Sequence, residues 1–263
     1  MQPTGRFRDL VAIMAQLRST CPWDMKQTRE SLKPYLIEEA YELIEAIESG
    51  DPDAMREELG DLLLQIVFHA CIAEERGEFD ASDVVKGISA KMISRHPHVF
   101  GDKTFETAED VVRQWEERKK EEGKLRQSIL EGVPPQMPAL LRAHRLQSRA
   151  SRSGFDWERV EDVMAKVDEE LAEFREALAS GDEAHMEEEM GDVLFSLVNL
   201  SRFINVNPED ALRKTIAKFI KRFRHIEISA TEQGRELRDL TLEEMDALWD
   251  AAKQAGPASK MEN

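Results

Sequence analysis

Cysteine is scarce in this chain: Cys21 and Cys71 are the two in 263 residues, with no CxxC and no zinc-ligand spacing. That excludes a disulfide framework and, with no signal-peptide pattern, points to a reducing cytoplasm. Long apolar runs are also missing. Leu62-Leu63-Leu64 and Val193-Leu194-Phe195 are far too short to span a bilayer, so no membrane association is expected. Positive charge is in deficit, with 36 basic residues against 53 acidic ones and a net charge of −17. A nucleic-acid polymer or an anionic membrane surface would repel such a chain. A small anionic substrate remains possible if metal ions and a few local cations hold it. Aromatic residues make up only 6%, so Leu, Ile, Val and Met must do most of the core filling.

What is present reads as helix nearly throughout. Leu10, Met14 and Leu17 mark an amphipathic start, broken at Cys21-Pro22-Trp23-Asp24. A helix is predicted from Leu32 or Pro34 to Glu48, a turn at Ser49-Gly50-Asp51-Pro52, and a second helix to Arg76. Ser82-Asp83 opens another to Arg95, stopped by His96-Pro97-His98. Thr107-Ala108-Glu109-Asp110 caps one more through Glu122. Gly132, Pro134, Pro135 and Pro138 form the mid-chain cluster of breakers. The expected division is therefore a domain over 1–125, a linker over 126–138 and a domain over 139–263. The second half repeats the plan, with a long helix opened by Asn207-Pro208 and a last one capped by Thr241-Leu242-Glu243-Glu244. No segment alternates with period two for long enough to make a sheet, so the fold class is all-α.

One acidic pattern occurs twice. Residues 38–61 and 169–192 are identical at 13 of 24 positions without a gap, at an offset of 131. Many of the identities are carboxylates, which a core does not need. Folding each copy about its central glycine, Gly50 or Gly181, pairs Glu42 with Glu58 and Glu39 with Asp61. In the second copy it pairs Glu173 with Glu189 and Glu170 with Asp192. The two rungs lie roughly 4.5 Å apart along the helix axes. Leu36, Ala40, Leu43 and Ile47 form the apolar stripe of one arm; Leu59, Leu62, Leu63 and Ile66 form that of the other. On a helical wheel Glu39 and Glu58 stand about 70–100° from those stripes, on one rotational side. The second copy repeats this with Leu171, Phe174 and Leu178 against Met190, Val193 and Leu197. Four carboxylates thus converge on one face beside each core.

Left to themselves, four such groups repel and raise one another's pKa. A hard divalent cation resolves the conflict, and an all-oxygen ligand set suits Mg²⁺ or Mn²⁺. Because Mg²⁺ usually completes its shell with waters and substrate phosphates, the site calls for a phosphorylated partner. A single EExxE in a chain with 34% charged residues would more often be a solvated face; two register-matched copies are not. Di-iron bundles need ExxH motifs. No histidine here follows a glutamate by three.

The paired EExxE and ExxD motifs, with Cys21-Pro22-Trp23-Asp24, Arg95-His96-Pro97-His98-Val99-Phe100 and Gly154-Phe155-Asp156-Trp157, resemble one known family. It is the MazG family of nucleoside triphosphate pyrophosphohydrolases, in the form with two tandem MazG domains, and the likeness covers essentially the whole chain. The resemblance implies an all-α homodimer that uses Mg²⁺ to hydrolyse ribo- and deoxynucleoside triphosphates to monophosphate and pyrophosphate. It places metal ligands at Glu39, Glu42, Glu58 and Asp61, and at Glu170, Glu173, Glu189 and Asp192. It further implies that Lys218 and Arg222 grip phosphates, that Trp249 contacts the nucleotide, that Glu188 borders the substrate, and that the C-terminal repeat carries most activity. Where relatives have a lysine seven residues before the motif aspartate, this chain has His185.

The residues support part of that set. Lys218 and Arg222 are four apart, as are Lys91 and Arg95, and each pair is followed by a tryptophan, Trp249 or Trp115. Cations for phosphates and an aromatic for a base suit a nucleotide, although such pairs are more often solvated faces and such tryptophans more often packing. Glu169 and Glu38, the first glutamate of each motif, are the candidate general bases. The competing reading is a non-catalytic helical module that binds metal or nucleotide, or a protein partner.

Overall fold

The computed structural model describes residues 4–101, 107 and 128–254. All regular structure among them is helical. They fall into two compact units, one drawn from residues up to 125 and one from those beyond.

The first unit opens with α1 (Phe7–Thr20) and a turn of 3-10 helix (Asp24–Lys26). The hairpin α2 (Arg29–Ser49) and α3 (Pro52–Glu75) follows, then α4 (Ala81–Arg95) and the short α5 (Pro97–Phe100). Helix α2 starts three residues earlier than the Leu32 expected from the sequence. A reciprocal cap is the cause: Ser31 N–H donates to Thr28 Oγ1 at 3.2 Å, and Thr28 N–H to Ser31 Oγ at 2.9 Å. The hairpin turn is as expected. Gly50 takes the left-handed conformation at φ +69°, and Asp51 accepts the Asp53 N–H at 2.9 Å with Pro52 in the first turn. The helix expected from Thr107 to Glu122 lies largely outside the described residues.

The second unit comprises α6 (Ala139–Ser151), the hairpin α7 (Val160–Ser180) and α8 (Glu183–Phe203), α9 (Pro208–Glu232), a 3-10 turn (Leu237–Asp239) and α10 (Leu242–Gln254). Its hairpin turn copies the first, with Gly181 at φ +72° and Asp182 Oδ1 accepting the N–H groups of Ala184 and His185. The Thr241–Glu244 capping box forms as expected. Arg235 forks onto Glu244 at 2.7 and 2.9 Å; that bond, with the Thr241 N–H, pushes the Glu244 carboxyl down to about 2. Residues 129–132 are tied to α6, where Arg149 donates to the carbonyls of Ile129, Glu131 and Gly132.

In both units the first helix packs on the second arm of the hairpin, α1 on α3 and α6 on α8. Met14, Leu32, Val67, Phe68, Cys71 and Ile72 form the first unit's core. This differs from the apolar stripe read from the sequence. Leu59, Leu63 and Ile66 are 38–49% exposed, and Leu178, Met190 and Leu197 of the second hairpin are exposed too. The reason is length: α1 has 14 residues and α3 has 24, so α1 covers α3 only toward its C-terminal end. The arms near the turn keep an apolar face outward. No helix among the described residues is long and apolar enough to cross a membrane.

Candidate active site

The hairpin geometry delivers the carboxylates. In the first unit Glu39, Glu58 and Asp61 each offer an oxygen, all within 4.8 Å of one another. Glu42 stands outside that trio but close enough to act on it. Partial burial, then Asp61 and Glu42, push the Glu39 carboxyl up; partial burial, then Glu42 and Asp61, do the same to Glu58. Gln65 Nε2 approaches Glu39 Oε1 at 3.5 Å from the next turn of α3.

The second unit gathers Glu170, Glu173 and Glu189 within the same 4.8 Å. Glu170 is buried, and the exposed Glu173 is raised by local desolvation beside the cluster and by the charges of Glu170 and Glu189. Lys166, one turn before the motif, bridges Glu169 at 2.8 Å and Glu170 at 2.6 Å. Hydrogen bonds to those two carboxylates raise its pKa, so it stays an ammonium at neutral pH. His185 Nε2 lies 3.2 Å from Glu189 Oε1, while Glu189 Oε2 is buried with no hydrogen-bond partner. Six of the eight expected ligands therefore converge in two trios, with Glu42 and Asp192 flanking them.

Asp192 and Glu170 also line a cavity of about 450 Å³ in the second unit. Apolar side chains, among them Phe155 and Trp157, form most of its wall, and Lys166, Gln147, Asn199 and Arg202 supply polar groups. The loop bearing Phe155 and Trp157 is pinned by Arg202, which forks onto Asp156 while also donating to Asn199 Oδ1. An arginine does the same in the first unit: Arg18 holds Glu75 and the carbonyls of Asp24 and Gln27. Trp23 there packs edge-on against Phe68 and Tyr35.

The remaining expected residues are placed less uniformly. Glu38, Glu169 and Glu188 are exposed beside their clusters. Arg222 lies 5.3 Å over the Trp249 ring, which also meets Phe219, so these two come together; Lys218 sits one turn away on α9, exposed. No ion pair links Lys218 or Arg222 to the carboxylates among the described residues. Lys91 is exposed whereas Arg95 is buried at the end of α4, so they do not form one open cationic face. Trp115 lies outside the described residues. Lys166, Gln147, Asn199 and Arg202 were not legible as site residues, because a charged or amide residue on a helix is unremarkable until its neighbours in space are known.

The model of the MazG nucleotide pyrophosphohydrolase domain matches residues 27–100 and 158–227, one segment on each carboxylate hairpin. The chain belongs to the MazG family. Among its relatives, the nucleoside triphosphate pyrophosphohydrolase/pyrophosphatase MazG of Thermotoga maritima is 52% identical over 250 residues, 94% of this chain and 95% of that one. The nucleoside triphosphate pyrophosphohydrolase of Escherichia coli is 42% identical over 254 residues, 93% and 96% of the two chains. Membership of the MazG family makes the chain a hydrolase acting on nucleoside triphosphates.

Proposed function

We propose that this chain hydrolyses ribo- and deoxynucleoside triphosphates to monophosphate and pyrophosphate, in the cytoplasm, with Mg²⁺ or Mn²⁺ as cofactor and mainly through its C-terminal repeat. The observation that carries this is the Glu170–Glu173–Glu189 trio opening beside a cavity of about 450 Å³. The donor set fits a hard divalent cation. All its ligand atoms are carboxylate oxygens, and Glu189 Oε2 is a buried acceptor with no partner of its own. When bound there, such a cation would neutralise triphosphate charge and lower the pKa of a water.

The chain's own residues supply the rest. Glu170, Glu173, Glu189 and Asp192 would hold the cation in the second unit, and Glu39, Glu42, Glu58 and Asp61 would form the equivalent set in the first. Glu169, exposed one residue before the trio, accepts the proton of the attacking water, and Glu38 is its counterpart. Lys166 brings a fixed ammonium to the cavity edge, while Lys218 and Arg222 meet the leaving pyrophosphate, with Trp249 and Glu188 at the border. The chain is read as two domains, 1–125 and 139–263, joined by 126–138. A substrate panel scored for pyrophosphate against orthophosphate tests the reaction. Pyrophosphate from every nucleotide hydrolysed is expected; orthophosphate alone would mean a different chemistry.

The outward apolar faces support a homodimer. Ile216, Phe219 and Ile220 on α9 are 45–55% exposed, and Leu59, Leu63, Met190 and Leu197 on the hairpins are 38–49% exposed. Sedimentation should show a particle of twice the 30.1 kDa chain mass. A monomer at micromolar concentration would contradict it. A non-catalytic reading is favoured for the first unit alone, where the packed core of Met14, Phe68 and Cys71 closes on itself.

A further inference from the structure

The two units differ where the first helix meets the second hairpin arm. Each first helix has a single buried residue, Met14 in α1 and Gln147 in α6. On the second arm the repeat offset of 131 carries Phe68 onto Asn199 and Cys71 onto Arg202, and both Phe68 and Asn199 are buried. In the first unit Met14, Phe68 and Cys71 are members of one continuous apolar core. In the second, Gln147, Asn199 and Arg202 line the 450 Å³ cavity instead. Three apolar core positions have become a polar floor, and space has opened above it.

That floor is built and held. Gln147 Nε2 donates to the Phe195 carbonyl at 2.9 Å, which fixes the amide so that Oε1 is the free end; Oε1 is buried with no partner. An unpaired buried acceptor is destabilising, and a fold that needed only packing would have methionine there. Asn199 Oδ1 is occupied by Arg202, which leaves its amide hydrogens as donors. From Asp192 at the carboxylate end to Asn199 is seven residues, about 10 Å along the helix. Phe155, 80% exposed at the same cavity, offers a ring face for stacking.

We propose that this cavity receives the nucleobase of the substrate and that Gln147 reads its edge, accepting a hydrogen bond from a base N–H. The proposal rests on the hydrolase reading above and names the specificity residue within it. It also gives the first unit no base pocket at the corresponding place, since Met14 and Phe68 fill it.

The test uses the full chain, Gln147→Met (the residue of the first unit) and Phe155→Ala, each checked for an unchanged helical spectrum. Calorimetric binding of the nucleoside monophosphates and kcat/KM for the triphosphate panel are measured in parallel. Gln147→Met is expected to weaken binding about 3- to 10-fold, the loss of one hydrogen bond, and to change the ranking among bases. Phe155→Ala should weaken all bases alike. Unchanged affinities and an unchanged ranking in both folded variants would overturn the proposal. Base-dependent monophosphate binding that fails in Gln147→Met, in a chain that releases no pyrophosphate, would uphold the pocket and overturn only the hydrolase reading.

Discussion

Glu173→Gln combined with Glu189→Gln is expected to lower pyrophosphate release by at least about 100-fold while making the chelator-treated protein more stable at pH 7. The first effect follows from ligation, since losing even an outer-shell partner of a metal ligand removes about 10- to 100-fold in affinity or activity. The second follows from repulsion. Glu39, Glu58 and Glu173 have carboxyls raised by local desolvation at the clusters and by their neighbours' charges. A raised carboxyl binds more protons in the folded than in the unfolded chain. Its contribution to stability is therefore most favourable at low pH and falls as pH rises from the ordinary glutamate range through the raised value. Chelator-treated protein should accordingly gain stability from these groups on mild acidification, and added Mg²⁺, by stabilising the protein at pH 7, should remove that difference. Glu244, pushed down to about 2 by Arg235, works in the opposite direction and loses its contribution only on further acidification. Thermal melts from pH 7 to pH 5, with and without Mg²⁺, check the sign. A double variant that is inactive and less stable without Mg²⁺ would point to a structural role for the trio.

Inactivating one repeat at a time should give sharply unequal results. Glu170→Ala with Glu189→Ala is expected to remove nearly all turnover, whereas Glu39→Ala with Glu58→Ala should leave more than half. Both hairpins gather three carboxylates within the same 4.8 Å, so ligation alone does not distinguish them. The surroundings do. In the second unit Lys166 stands where the first has Tyr35 at the repeat offset, and it brings an ammonium against Glu170 at 2.6 Å. The second trio opens on the cavity floored by Gln147 and Asn199, whereas in the first unit Met14 and Phe68 are core. Steady-state rates of the two double variants in the full chain decide it. Equal losses would contradict the assignment.

How far the sequence reached depends on whether a feature is local. Gly50 and Gly181 adopt left-handed φ with Asp51 and Asp182 capping the next helix, so each turn was written in three adjacent residues. Pairing Glu42 with Glu58 and Glu39 with Asp61 across that turn needed only counting from the glycine, and each trio holds one counted rung, Glu39–Asp61 in the first unit and Glu173–Glu189 in the second. The inward face of α3 was not legible in the same way. Leu59, Leu63 and Ile66 have core-like spacing, but what covers them depends on how far α1 extends along α3. Helical period cannot separate a face buried by the chain from one left for a partner. The cavity was hidden for a related reason: Gln147, Asn199 and Arg202 come from two helices and act through Phe195 and Asp156. The replacements of Phe68 by Asn199 and Cys71 by Arg202 stand at the repeat offset, but that of Met14 by Gln147 shows only when α1 is aligned with α6 at an offset two residues longer than the hairpin's.

Acidic residues across each hairpin turn are proposed to form cation sites. Titration of chelator-treated protein with Mn²⁺, following the resonance of the free aquo ion, tests it most directly. Saturable uptake is predicted, reduced in Glu170→Ala with Glu173→Ala, reduced in Glu39→Ala with Glu58→Ala, and abolished when all four are replaced. Uptake with the same stoichiometry and affinity in the fourfold variant would show that Mn²⁺ binds elsewhere and would contradict the account.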